Sequence, residues 1–360
     1  MRKLVLLATL GLVSMALLGC RNEEKELKPA VETAAPAAQD PLAAWKPAFD
    51  PSGAEFTYLL SNVSHPAMEG VAVGYRIRDK VWERSKGRLY VDFRPLSQLG
   101  EERAVLSKLR LGAIQGMLCS SVAAANMADK LGLVNLPFVI DSFDKLEKFR
   151  NDPELFNEYR DSALGQGVMV VDITGHGSYG WATKAPVRTL QDARRVNFRI
   201  AEAPVNADIY KNWGLKFTVL SWGDVPQALQ TGVIDGLDHT PIVCNITRKF
   251  DTARYFTRVD YAQGLFVHMM NKRWFEGLPG DLKQVLLEVI EEESRHAREL
   301  TRRQEMEQIA AAEAAGVEFI TLSAEDRRRL EELTAPVYDI WGRKVGKAYL
   351  DKVRRRLAAE

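Results

Sequence analysis

Asn197-Phe198-Arg199-Ile200 and, further on, Asp224-Val-Pro-Gln-Ala-Leu-Gln-Thr-Gly232-Val-Ile-Asp-Gly236-Leu-Asp238-His239-Thr240 carry the most informative pattern in the chain. The first segment reads as a short apolar strand that contains an arginine. Burying a guanidinium there is costly unless an anion meets it. The second segment reads as a helix, a glycine stop and a strand, with Asp224 as helix cap, Pro226 in the first turn, Gly232 ending the helix and Gly236 in a turn. Together they predict a carboxylate-binding cleft rather than a catalytic centre. A salt bridge from Arg199 to a protein acid such as Glu202 is the competing reading.

Strand and helix patterns alternate on both sides of this stretch. Strands are expected over Phe56–Leu60, Leu89–Phe93, Ile114–Cys119, Val168–Ile173 and Asn197–Ala201. Helices are expected over Pro66–Ser85, Glu101–Leu111 and Phe143–Phe156, with Val71, Val73, Ile77 and Val81 forming the apolar side of the first. From Asp281 to Ala315 the pattern becomes one long charged helix, ~45 Å if unbroken. The alternation predicts an α/β fold in which helices cover mostly parallel sheets, with the long helix spanning both halves.

The amino terminus carries an address. Arg2 and Lys3 precede an apolar run from Leu4 to Leu18, too short for a comfortable span, which ends Leu17-Leu18-Gly19-Cys20. This lipobox-like ending predicts a signal peptide over 1–19 and a lipid on Cys20, which gives an anchor without a transmembrane helix. Arg21, not Asp, follows, which is compatible with an outer-membrane address. Residues 20–52 are rich in Ala, Pro, Glu and Lys and read as a flexible tether reaching on the order of 30 Å.

Composition excludes other classes. With 49 basic and 48 acidic residues the net charge is +1, so nothing favours nucleic acid. His65, His176, His239, His268 and His296 show no metal-ligand spacing, no Gly-x-Ser-x-Gly elbow is present, and no cofactor is expected. Cys119 and Cys244 lie in apolar runs, as buried thiols or as a pair.

Gln98-Leu99-Gly100-Glu101-Glu102-Arg103, Leu109-Arg-Leu-Gly112-Ala-Ile-Gln115 and Asn135-Leu-Pro-Phe138 occur in an order similar to that of the TRAP-type (tripartite ATP-independent periplasmic) solute-binding proteins, the dicarboxylate-receptor family. Asn197-Phe-Arg199-Ile, Ala228-Leu-Gln-Thr-Gly-Val-Ile-Asp-Gly236 and Leu278-Pro-Gly-Asp-Leu-Lys283 continue the resemblance, which covers residues 54–350. It implies a two-lobed Venus-flytrap receptor without enzymatic activity. Such a receptor is a monomer in the periplasm that delivers a small organic acid to the membrane subunits of a secondary transporter. One lobe is expected over 53–175 with a return segment near 263–300, the other over 176–262 with the C-terminal helices near 301–360. A tethered sensor on the same fold is the alternative, and an exported hydrolase built on Ser120 a third.

The resemblance assigns the ligand's carboxylate to Arg199, whose planar fork can hold it through two parallel hydrogen bonds. Trp222 matches an aromatic that closes over ligand. Asp238-His239-Thr240 stands where the family commonly has Glu-Asn-Pro, placing Asp238 and His239 in the cleft. Tyr179 is the match for a second family arginine that is missing here. With Trp181 and Trp222 it predicts an aromatic wall suited to a monocarboxylate with an apolar or aromatic body. Asn62, His65 and Ser120 are the candidates at strand ends of the first lobe.

Overall fold

A computed structural model of the chain describes residues 42–358. The signal peptide, Cys20 and most of the expected tether lie outside the described residues. Within Met1–Lys46, which forms a unit of its own, the described part holds a short 3-10 turn at Ala43–Trp45.

The body from Pro47 onward carries eleven strands: β1 (Phe56–Ser61), β2 (Leu89–Arg94), β3 (Gly116–Ser120), β4 (Val168–Ser178), β5 (Gly180–Thr183), β6 (Asn197–Ile200), β7 (Lys216–Val219), β8 (Gly236–His239), β9 (Tyr255–Arg258), β10 (Gln263–Asn271) and β11 (Glu318–Thr321). They form two sheets, ordered β2-β1-β3-β10-β4 and β11-β9-β5-β8-β6-β7. Parallel pairs (β1 with β2 and β3, β6 with β7 and β8, β9 with β11) arise where helices return the chain. The crossing strands β10 and β5 run antiparallel to their neighbours, so both sheets are mixed.

The chain passes between the sheets at Tyr179 and again at 259–262. These crossings are bonded to each other, Tyr179 N–H to the Ala262 carbonyl at 2.9 Å and Asp260 N–H to the Tyr179 carbonyl at 2.9 Å. A third connection is the helix Gly280–Ala314, which leads from β10 to β11. Along its length Arg298 reaches β4, Thr301 bonds the Gly175 carbonyl, and Gln308 meets Asn245 at the far end.

Local chemistry explains most boundaries. The helix Glu102–Leu111 ends on Gly112 at φ +77°, where only glycine is unstrained. The single helix expected over Phe143–Phe156 is two, Phe143–Asn151 and Pro153–Arg160, because Pro153 lacks an N–H and Asp152 caps the second helix. Gly232 does end its helix, at φ +79°. Gly236 has no turn φ: it begins β8, and a Cβ there would lie 2.6 Å from the Ala182 carbonyl oxygen, so close strand packing is what requires glycine. Asp224 does not cap either; its carboxylate accepts instead from the Ser221 hydroxyl at 2.5 Å.

The C-terminal helices do not sit with the second sheet alone. Ala324–Val345 packs on Pro204–Trp213, with Trp341 donating to Asp208 and Trp213 to Thr334. Lys347–Ala358 lies on the helix Pro153–Arg160, where Tyr349 bonds the Leu155 carbonyl and Arg356 pairs with Asp152 and Glu154. Cys119 and Cys244 are buried free thiols.

Candidate functional site

The parallel strands β1, β3, β6 and β8 deliver their carboxyl ends to one place, the crevice between the sheets where open α/β folds collect ligands. Arg199, near the end of β6, is 5 % exposed. Its Nε and Nη2 both donate to the Leu220 carbonyl, at 3.0 and 2.9 Å. Among the described residues no carboxylate pairs with it. Glu202, the acid that competes for Arg199 in the sequence, pairs with Arg103 at 2.5 Å instead. Burial pulls the Arg199 guanidinium below its usual range, and Tyr179, Glu102 and Asp238 pull it back up. A buried cation answered only by carbonyl oxygen is short of an anion.

A cavity of about 50 Å³ lies against this arginine, and Glu102, Ser120, His176, Tyr179, Trp222, Asp238 and His239 help line it. A neighbouring cavity of about 70 Å³ shares Glu102, Arg199, Ala201 and Trp222 with it. That chamber in turn shares Arg103, Asn126 and Glu202 with an open groove of about 590 Å³ between the two halves. The chambers form a graded path from surface to arginine, crossed by the Arg103–Glu202 pair and by the Asn126 amide on the Glu202 carbonyl at 3.2 Å.

Asp238, on β8 next to β6, lines the same cavity as Arg199 at the carboxyl end of the sheet. Its Oδ2 accepts from the Tyr261 hydroxyl at 2.7 Å, and the Tyr210 hydroxyl, which receives the Trp181 N–H, is a further donor to the buried carboxyl. Desolvation raises the Asp238 carboxyl to about 7, partly offset by the Tyr261 hydroxyl and the Arg199 charge. Glu102, in the first turn of its helix, is the acid from the other half. Its two oxygens accept from the Ser120 N–H and hydroxyl, each at 2.8 Å, and burial raises its carboxyl too.

Hydrogen bonds fix both histidine tautomers. His239 Nδ1 accepts the Thr240 N–H at 3.0 Å, so its proton sits on Nε2. The Thr240 hydroxyl donates to the His176 carbonyl, so it receives His176 Nδ1–H at 3.3 Å, leaving Nε2 of His176 as an acceptor. Burial holds both rings neutral, His176 down to about 3. One ring therefore offers a donor and the other an acceptor. Trp222 closes the outer side, with Lys249 Nζ 4.6 Å and Arg199 Cζ 5.5 Å from its ring centre.

The fold brings Arg199, Asp238, His239, Tyr179, Trp222 and Ser120 to one cavity, and leaves three expected residues outside it. Trp181 is fully buried, packed on Phe198 and Trp213 and donating to the Tyr210 hydroxyl at 2.9 Å. The chain changes sheets at Tyr179, so the two aromatics do not share a wall. Asn62 is also fully buried, its amide spanning the Leu118 carbonyl and the Ser64 N–H, which pins the loop behind the cavity. His65 accepts the Ala67 N–H and lies off the lining. The wall therefore keeps the rings of Tyr179 and Trp222 beside its polar groups, without Trp181. Glu102, His176, Asn206 and Phe266 line it unforeseen. Glu102 stood inside the quoted Gln98–Arg103 motif, but an acid in a first helical turn reads as a solvated dipole partner.

A family model described as bacterial extracellular solute-binding protein, family 7, matches residues 63–344. The chain is 26% identical over 250 residues to the 2,3-diketo-L-gulonate-binding periplasmic protein YiaO of Escherichia coli (strain K12), covering 68% of this chain and 75% of that one. Its fold matches a TRAP periplasmic solute-binding protein of Shewanella oneidensis solved with bound succinate: TM-score 0.79, 19% identity, 84% of this chain and 99% of that one. A TRAP protein of Xanthobacter autotrophicus Py2 with bound β-D-galacturonate matches at TM-score 0.79 and 19% identity, covering 84% of this chain and 100% of the other. Among the described residues no helix is long and apolar enough to cross a membrane.

Proposed function

The chain belongs to the bacterial extracellular solute-binding protein family 7, and from that premise we propose that it is a periplasmic receptor that takes one small organic acid into the crevice and passes it to a TRAP-type transporter. One observation carries the ligand class: Arg199 is buried, lines the cavity and pairs with no carboxylate among the described residues. A ligand carboxylate supplies the missing anion. Relatives and structural neighbours bind acids of this kind, from 2,3-diketo-L-gulonate to succinate and β-D-galacturonate.

The halves act as lobes about the paired crossings at Tyr179 and 259–262. Closure then brings Glu102 and Ser120 from one lobe against Arg199, Asp238 and His239 from the other. A ligand that touches both sets favours the closed form by its differential contacts. The roles that follow are binding and orientation without turnover, in a monomer held near the membrane by a lipid on Cys20 and a tether over 20–52.

A thermal-shift screen of organic acids against the full chain tests the reading, since a ligand of the native state raises the unfolding temperature. Arg199→Met should lower the affinity of any acid found by about 100-fold, because it removes the charge that meets the carboxylate. Undiminished affinity in that variant would sink the carboxylate assignment.

A further inference from the structure

Trp222 lines both inner chambers, yet no strand or helix carries it. It sits in the turn between β7 and the helix Val225–Thr231, half-buried, with its carbonyl accepting the Val225 N–H at 3.3 Å. Such a bond fixes the chain and leaves the ring free to turn. The ring is therefore held by what touches it. His239 lies 5.0 Å away between ring centres, and Arg199 Cζ lies 5.5 Å from the Trp222 centre. Arg199, however, gives its charge to a carboxylate when one is bound.

Lys249 has no such second duty. Its Nζ stands over the Trp222 ring at 4.6 Å, and it lines neither chamber. The residue is 7 % exposed; its ammonium donates to the Thr247 carbonyl at 3.1 Å and, among the described residues, pairs with no carboxylate. Burial pulls the ammonium below its usual range, with Cys244 opposing that shift and Arg199 adding to it. A cation in such a place is costly unless a contact repays it. A desolvated ammonium on a tryptophan face is the strong form of the cation–π interaction.

The backbone is bent to put it there. Arg248, just before Lys249, holds φ +57°, a left-handed conformation that strains any side chain but glycine. Phe250, just after, is packed on Phe256 and Phe319 in the apolar cluster of the second sheet. Strain of this kind persists where the surroundings over-determine the chain, and it gathers where a side chain has work to do.

We propose that Lys249 is a positioning residue for binding: its ammonium pins the Trp222 ring across the two inner chambers, so that an acid on Arg199 is enclosed rather than open to the groove. Lys249 does not touch the acid; it acts through Trp222. This rests on the carboxylate-receptor reading above.

The test reads the ring first and binding second. In the full chain labelled with fluorotryptophan, the Trp222 fluorine line is identified by its loss in Trp222→Phe. The shift of that line on exchanging water for deuterium oxide measures how exposed the ring is. Exposure should rise in Lys249→Met, which keeps length and loses charge, and return to the parent value in Lys249→Arg, which keeps a cation. Lys249→Gln serves if the methionine variant folds poorly. Succinate and D-galacturonate are then titrated calorimetrically, with the acids that the thermal-shift screen raises. Every acid that binds should be weakened about tenfold by Lys249→Met, and that loss should vanish in a Trp222→Leu background. A Trp222 line no more exposed in Lys249→Met overturns the proposal, whether or not these two acids bind, and leaves the receptor reading intact. A tenfold loss that persists without Trp222 also overturns it, since Lys249 would then act directly. Undiminished acid binding by Arg199→Met removes the receptor reading and this proposal with it.

Discussion

Two regions of this molecule bury arginines beside carboxylates, and they are finished to different degrees. Beneath the long helix, Asp172 accepts from Arg150 through both oxygens at 2.7 and 2.8 Å, from Arg298 at 3.2 Å and from the Ile173 N–H at 2.7 Å. Arg298 adds Glu147 at 2.6 Å and the Ile173 carbonyl at 2.9 Å. Every strong group in that layer has its partner. In the crevice, Arg199 donates to the Leu220 carbonyl and, among the described residues, pairs with no carboxylate, while Asp238 is met by tyrosine hydroxyls and no cation. A closed ionic network holds β4 to the helix that joins the halves. An open one stays costly until something from outside completes it.

The contrast makes graded predictions. Arg298→Met removes one of the two cations on Asp172, which keeps Arg150 and the Ile173 N–H, and takes the partner from the part-exposed Glu147. It should cost about 2–3 kcal/mol of unfolding free energy in urea titrations, through the lost charged hydrogen bonds of a buried guanidinium. A loss below about 1 kcal/mol would mean that the network is not the clamp described. The equivalent change at Arg199 should move unfolding of the unliganded protein by no more than about 1 kcal/mol, because that cation gains little from the protein itself. Comparable destabilisation by both variants would erase the distinction between the regions.

The open region should also respond to pH in a defined direction. The folded Asp238 carboxyl sits at about 7 against an ordinary 3.8, so between those values the native state binds more protons than the unfolded one. Its contribution to stability is therefore full in acid and is lost as pH rises toward 7. Relative to Asp238→Asn, the parent protein should lose on the order of 1 kcal/mol per pH unit across that window and level off above it. His176 and His239, held neutral by burial, destabilise both proteins alike as pH falls below 6.5 and largely cancel in the difference. A flat difference from pH 5 to 8 would contradict the desolvated state of Asp238. The smallest effect belongs to the exposed Arg103–Glu202 pair. Glu202→Ala should speed ligand release by about two- to threefold in stopped-flow measurements, with no change in the ligands accepted.

Much of this was legible along the chain. The alternating strands and helices, the long helix and the glycine stop at Gly232 follow from local periodicity and backbone preference. Arg199 was visible because a charge set in an apolar strand is unusual, whereas Trp222, Asp238 and His239 were assigned to the cleft by their match to the family's motif. Glu102 and His176 were not. Each looks ordinary in its own segment, and each becomes part of the site through a residue far away, Ser120 for one and Thr240 for the other. Trp181 and Asn62 misled for the converse reason: both lie near strand ends, yet the sheet crossing at Tyr179 and the Leu118 carbonyl turn them inward.

By itself, then, the sequence determined the alternation of strands and helices, the long helix, the arginine in its apolar strand and the family. Those depend on residue type and on neighbours a few positions away. Only the tertiary structure decided which acids line the cavity with Arg199, which aromatics face the crevice and which half supplies the second carboxylate. Those depend on register between β6 and β8 and on where the chain crosses between sheets, and no local pattern encodes either.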